Sequence, residues 1–147
     1  MFEITYQDAN PEADYEFARK VHHLSYRDVV ISQFGSWNES EQDIYFEKGW
    51  KGSPHSIILL NKIPIGVLSA VKYNDHIFLS EIQILPEYQG QGVGSHTIKD
   101  RINYAKKSKL PLRLQVLKQN KRAIDLYLRL GFIVTGNTDI HFLMEWR

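Results

Sequence analysis

The stretch Gln89-Gly90-Gln91-Gly92-Val93-Gly94-Ser95 places a glycine at every second position, between an apolar run ending Ile82-Gln83-Ile84-Leu85-Pro86 and a segment with helical spacing. Without Cβ atoms in the way, successive N–H groups can turn toward one point and form a nest for an anion. A helix starting near Val93 adds unpaired first-turn N–H groups and the positive end of its dipole, the usual place for a phosphate. The same glycines would also suit a tight strand-to-helix turn with no ligand. Two better-known nucleotide motifs do not fit. Lys and Ser/Thr do not follow the second glycine as G-x-x-x-x-G-K-[ST] requires, and G-x-G-x-G is not the dinucleotide G-x-G-x-x-G.

The spacing Gln89-x-x-Gly92-x-Gly94 resembles the acetyl-CoA-binding motif Q/R-x-x-G-x-G/A of the GCN5-related N-acetyltransferase (GNAT) superfamily. Further along, Asn120, Ala123, Leu126, Tyr127, Gly131 and Phe132 fall in register with a second motif of that superfamily, N-x-x-A-x-x-L/F-Y-x-x-x-G-F. The resemblance implies one N-acetyltransferase domain over residues 1–147. Its fold would be mixed α/β (α+β), with about seven strands in a central sheet and four helices. The sheet would splay at the strands before and after the glycine-loop helix.

The resemblance also implies roles. Backbone of Ile82, Gln83 and Ile84 would pair with the pantetheine arm like an added strand, and N–H groups from Gln89, Gly90, Gln91, Gly92, Val93, Gly94 and Ser95 would hold the pyrophosphate. Acetyl-CoA is the implied cosubstrate, with no metal. In the implied chemistry a neutral primary amine would attack the thioester, the Ile84 N–H would stabilise the oxyanion, and Tyr127 is the candidate acid toward the departing sulfur. Asn120 would cap its helix while lying near the cofactor. Glu81 is the candidate base by its neighbourhood alone, and a strand carboxylate with no catalytic role is its ordinary reading. The acceptor is an amine of a small molecule, an aminoglycoside-like compound, or a peptide or protein. The competing reading is a CoA-binding regulatory or interaction module without turnover.

The elements that must position these groups are legible in order. Phe2 to Tyr6 alternate as a strand, and Asn10-Pro11 reads as the cap and first residue of a helix of four to five turns. His22 and His23 lie side by side on it, about 100° apart, and are not expected to chelate one ion. Asn38 with Glu41 marks the next helix start, and Gly49 its end. Aromatics and acids gather from Tyr26 through Trp37 to Phe46, a mixture that suits a pocket for a cationic amine and equally the rim of a core. Tyr26 and Trp37 are the substrate-contact candidates. Strands follow from Ser56 and from Ile65 around an Asn61-Lys62 turn, then from His76 to Leu85 into the glycine loop. After its helix come a strand at Leu112–Leu117, the Asn120 helix closed by Gly131, and two strands about a Gly136-Asn137 turn.

Composition sets the outer bounds. With 147 residues, 18 basic and 17 acidic side chains, the chain has room for one core and a net charge of +1. That balance calls for neither nucleic acid nor an anionic membrane as partner. The absence of cysteine removes disulfides, thiolate metal sites and a cysteine nucleophile, so acetyl transfer must go directly to the acceptor or through another residue. No basic leader or spanning apolar run is present, which makes the cytoplasm the expected location, and a homodimer is compatible with the family.

Overall fold

A computed structural model describes residues 2–147. Seven strands form one sheet in the order β1-β2-β3-β4-β5-β7-β6. They are β1 (Ile4–Asp8), β2 (Ser56–Leu60), β3 (Ile63–Lys72), β4 (Ile77–Ile84), β5 (Leu112–Leu117), β6 (Ile133–Asn137) and β7 (His141–Trp146). Helices α1 (Tyr15–Phe34) and α2 (Glu39–Gly52) precede β2, α3 (Val93–Ser108) joins β4 to β5, and α4 (Lys121–Arg129) follows β5. The mixed fold expected from the sequence is therefore the one found.

Apolar side chains leave the sheet on both faces. One core gathers Ile58, Leu68, Ile77, Leu79, Leu112, Leu114 and Met144 under Ile98, Ile102 and Ala105 of α3 and Tyr127 of α4. The other packs Ile57, Val67 and Leu85 under Ala18 and Val21 of α1 and Phe46 and Trp50 of α2. Pairs such as Ile57 and Ile58 are buried on opposite faces because strand side chains alternate.

Local signals account for much of this. The Asn38 side chain accepts from the Glu41 N–H, and that of Asn120 from the Ala123 N–H, as expected of caps. Asn61 and Lys62 both take positive φ, 49° and 70°, which closes the β2–β3 hairpin in two residues. Other boundaries need correction. Asn10 caps only a single turn, its Oδ1 accepting from Glu12 and Ala13, and α1 begins later, at Tyr15. Gly49 does not end α2, which continues to Gly52 because Trp50 is still being buried against the sheet. Gly136 and Asn137 belong to β6, at an irregularity between Val134 and Gly136, so the turn falls after them.

Two features of β4 decide where the site lies. Its parallel pairing with β5 covers only Ile77–Leu79 against Leu112–Leu114, after which the two strands diverge. A bulge also falls there, since Ser69 pairs with Glu81 and Ala70 with Leu79, leaving Ser80 as the extra residue. One extra residue exchanges the faces of everything beyond it. Ile82 and Ile84 thus stay with Ile77 and Leu79 in the α3 core, while Glu81 and Gln83 are turned toward α1 and α2.

Candidate active site

Among the described residues, β4 has a strand neighbour beyond Leu79 only at β3, and its other edge faces the gap. The Leu85 N–H donates to the Ile65 carbonyl on β3 at 2.9 Å. Backbone groups of consecutive strand residues alternate sides, so the Ile84 N–H points into the gap. The Ile84 carbonyl is taken there by Gln89 Nε2 at 2.8 Å.

Past the strand, Pro86–Tyr88 make one 3₁₀ turn, and Gly90 and Gly92 take φ of 78° and 86°, in the region glycine tolerates best. Gly92 is the N-cap of α3 and carries no side chain to satisfy the first turn. Among the described residues, no acceptor takes the N–H groups of Gly90 to Ser95. The Gln89 N–H is different. It donates to the Pro86 carbonyl at 3.2 Å, so the run of free donors starts one residue later than expected. Gln89 works instead through its side chain, whose Oε1 accepts from Arg122 Nη1 at 3.1 Å. The two motifs recognised in the sequence are thereby joined. Gly94 fits between them, where an added Cβ would lie 3.6 Å from Ile84 Cδ1 and 3.8 Å from Leu126 Cδ2. A diphosphate suits this array of donors, and the open β4 edge suits an extended amide-bearing arm.

On the other face, Glu81 lines a crevice with His22, Tyr45, Phe46, Gly49, Trp50, His55, Val67 and Gln83. Gln83 Nε2 donates to Glu81 Oε2 at 2.8 Å, and the backbone at Gly49 passes close to Oε1. Removal from water is what raises the Glu81 carboxyl, to about 7. Tyr127 is buried against Phe132, with ring centroids 5.5 Å apart. Its phenol is raised above the ordinary tyrosine value by burial first and the Glu81 charge second, and Tyr26 is raised by burial and by the same charge. Glu81, Tyr26 and Tyr127 therefore share one electrostatic neighbourhood. Trp37 lies further out, edge-on to His23 at 5.2 Å, with Nε1 donating to Glu39 Oε2 at 2.7 Å.

Sequence reasoning missed His22 and His23 as a unit. Their Nδ1 atoms lie 3.0 Å apart, so rotation of the side chains overcomes the angle between neighbouring helix positions. His23 Nε2 is 2.7 Å from Asp43 Oδ1, and Arg19 holds both Asp43 and Glu39. Since Arg19 already occupies these carboxylates, the group is an ion-pair network. A larger cavity, of about 480 Å³, lies by the C-terminal end of α3 between Lys106, Arg113, Glu145 and Trp146, away from the gap and the crevice.

The N-acetyltransferase PaiA of Thermoplasma acidophilum, in complex with coenzyme A, superimposes with a TM-score of 0.81 at 18% identity over 99% of both chains. A GNAT family acetyltransferase from Elizabethkingia anophelis with acetyl-CoA bound gives 0.67 at 16% identity, over 98% of this chain and 97% of that one. The acetyltransferase (GNAT) family model matches residues 16–132, and the chain belongs to that family. Thialysine N-epsilon-acetyltransferase of Bos taurus is 51% identical over 57 residues, which is 38% of this chain and 34% of that protein. The match thus spans about a third of that relative's length. No helix among the described residues is long and apolar enough to cross a membrane.

Proposed function

We propose that residues 1–147 form one N-acetyltransferase domain that transfers an acetyl group from acetyl-CoA directly to a primary amine. The observation that carries this reading is the coincidence of an open β4 edge, a donor-lined loop and a carboxyl titrating at about 7. Relatives named for thialysine N-epsilon-acetylation favour an alkyl amine as acceptor.

Bound acetyl-CoA supplies an activated acetyl thioester; the rest falls to the chain. An alkyl amine with a pKa of about 10.4 needs roughly 4 to 5 kcal/mol to be neutral at pH 7. Glu81 accepts its proton, and a base titrating near the working pH is half-ionised and still basic enough to act. Tyr45 lines the crevice with Glu81, Tyr26 packs edge-on against His22 beside it, and an aromatic ring face there suits the ammonium form. The Ile84 N–H donates to the carbonyl oxygen as charge builds on it. Tyr127, whose pKa stands above the ordinary phenol value, keeps its proton at neutral pH, gives it to the sulfur and takes the second proton that the nitrogen sheds as the amide forms. The Gly90 to Ser95 donors hold the diphosphate, and Gln89 and Asn120 keep the loop and α4 in place around it.

The test is release of free thiol from acetyl-CoA against thialysine, lysine, polyamines, an aminoglycoside and peptide amines. Release with at least one of these is expected. Tight binding with no release on any of them would favour a non-catalytic CoA-binding module. Tyr127→Phe is expected to lower kcat about tenfold while acetyl-CoA affinity, read by calorimetry, changes little. An unchanged kcat would remove Tyr127 as the acid. Gly92→Val puts a β-branched residue at φ +86 and is expected to weaken acetyl-CoA binding about tenfold through distortion of the donor loop. Full affinity in that variant would mean that the loop is not the diphosphate cradle.

A further inference from the structure

His22 is buried, at 3% exposure, yet its Nε2 has no hydrogen-bond partner among the described residues. An orphaned buried nitrogen is costly and asks for an explanation. The hydrogen bonds around it fix which kind of atom it is. Asp43 Oδ1 belongs to a carboxylate which, although desolvation pulls it upward, is held below its usual range by His23 and Arg19, so it only accepts. His23 must then carry its proton on Nε2, leaving Nδ1 as a lone pair when the ring is neutral. His22 Nδ1 must donate to it across 3.0 Å. A neutral His22 is left with a bare lone pair on Nε2, on a ring that lines the crevice shared with Glu81.

We propose that His22, His23 and Asp43 form a proton path from this crevice to the protein surface, with His22 Nε2 as its inner, accepting end. Its catalytic role rests on the acetyl-transfer reading above; its geometry does not. The stoichiometry calls for such a path. An ammonium that becomes a secondary amide loses two protons from nitrogen, of which one ends on the thiol and the other must reach solvent. Each transfer breaks one bond to hydrogen and forms one. The amine N–H gives way to an O–H on Glu81, and one water in the crevice that both residues line takes that proton and gives one to His22, forming Nε2–H there. The His22 Nδ1–H then passes to His23 Nδ1. The His23 Nε2–H passes to the half-exposed Asp43 and on to water, and tautomer exchange of the two rings, with no net proton movement, restores Nδ1–H on His22 and Nε2–H on His23 before the next turnover.

The groups facing His22 fit this task. His23 and Tyr26 come from α1, Asp43 and Tyr45 from α2, His55 from the connection into β2 and Glu81 from β4. The aromatic rings of Tyr26, Trp37 and Phe46 pack around the imidazole and keep solvent from short-circuiting the path. Burial is the largest cause that lowers His22, to about 4, so it accepts a proton only in passing and hands it on.

The resting protein provides a test that needs no turnover. Long-range ¹H–¹⁵N spectra of the imidazoles are expected to show His22 as the Nδ1–H tautomer and His23 as the Nε2–H tautomer at pH 7. An Nε2–H tautomer at His22 would overturn the proposal. With the amine that gives the fastest release, His22→Gln is expected to lower kcat about tenfold with unchanged acetyl-CoA affinity. His22→Ala should regain part of that loss on addition of imidazole. A wild-type kcat in His22→Gln would overturn the proposal as well. Should the His22 variants fail to fold, Asp43→Ala at the exposed end serves instead. It is expected to lower kcat about threefold and to move His22 partly to the Nε2–H form; no change in either would count against the path. If no amine supports thiol release by the wild type, the acetyl-transfer reading fails, while the tautomers still decide the proton path.

Discussion

Glu81→Gln is expected to lower kcat about 100-fold at pH 7 and, in the same protein, to raise thermal stability above that pH. Both effects follow from one cause. The bulge at Ser80 aims Glu81 into the crevice beneath α1 and α2, and removal from water lifts its carboxyl to about 7. In the unfolded chain the same carboxyl titrates near its ordinary value, about 4.3. Between those values the folded state binds more protons than the unfolded state. Stability linked to protonated Glu81 is therefore complete below about pH 4 and is lost as pH rises through 7. Glutamine keeps the shape, stays neutral throughout, and can still accept from Gln83 Nε2. The melting temperatures of the two proteins should coincide near pH 4 and separate by a few degrees at pH 8, glutamine being the higher. For the wild type, kcat/KM should fall below about pH 7 with the ionisation of one group, a limb absent from the variant. Equal melting curves at pH 8, together with an unaltered rate profile, would show that Glu81 is neither desolvated nor the base.

The parts that were legible in the sequence are those set by near neighbours along the chain. Caps at Asn38 and Asn120, the two-residue turn at Asn61-Lys62 and the glycines ahead of α3 are each fixed by a few adjacent residues. The parts that were not legible depend on pairing across the sheet or between helices. His76 to Leu85 reads as one uninterrupted strand, and nothing in its composition announces that Ser80 will be the unpaired residue. The bulge exists because β3 sets the register, so no residue near Glu81 in the chain carries a signal for the direction its side chain takes. The backbone angle between His22 and His23 is equally silent about their contact. That contact depends on side-chain rotation and on Asp43, which α2 delivers from twenty positions away. Gly49 illustrates the same limit, since a glycine that resembles a helix end is kept in mid-helix, facing Glu81.

Gly66→Ala is expected to cost about 3 kcal/mol or more of folding stability and to weaken acetyl-CoA binding in whatever protein still folds. Its φ is unremarkable, so the reason is space. A Cβ at this position would lie 2.4 Å from the Gln83 carbonyl oxygen and 3.3 Å from Ile84 Cα, atoms of the paired strand that no side-chain rotation can move. The cross-strand partner of Gly66 is Ile84, whose N–H faces the gap, so relief of the clash must push β4 away from β3 and into that gap. Stability and the cofactor-facing edge should fail together. Gly49→Ala separates this from any general effect of losing glycine. There the added Cβ meets Glu81 Oε1 at 3.7 Å, an ordinary contact, and alanine in a helix interior is favoured by up to about 1 kcal/mol. Denaturant unfolding of the two variants should move in opposite directions. Were Gly66→Ala as stable as the wild type with full affinity for acetyl-CoA, the β3–β4 register, and with it the face assigned to Glu81, would have to be withdrawn.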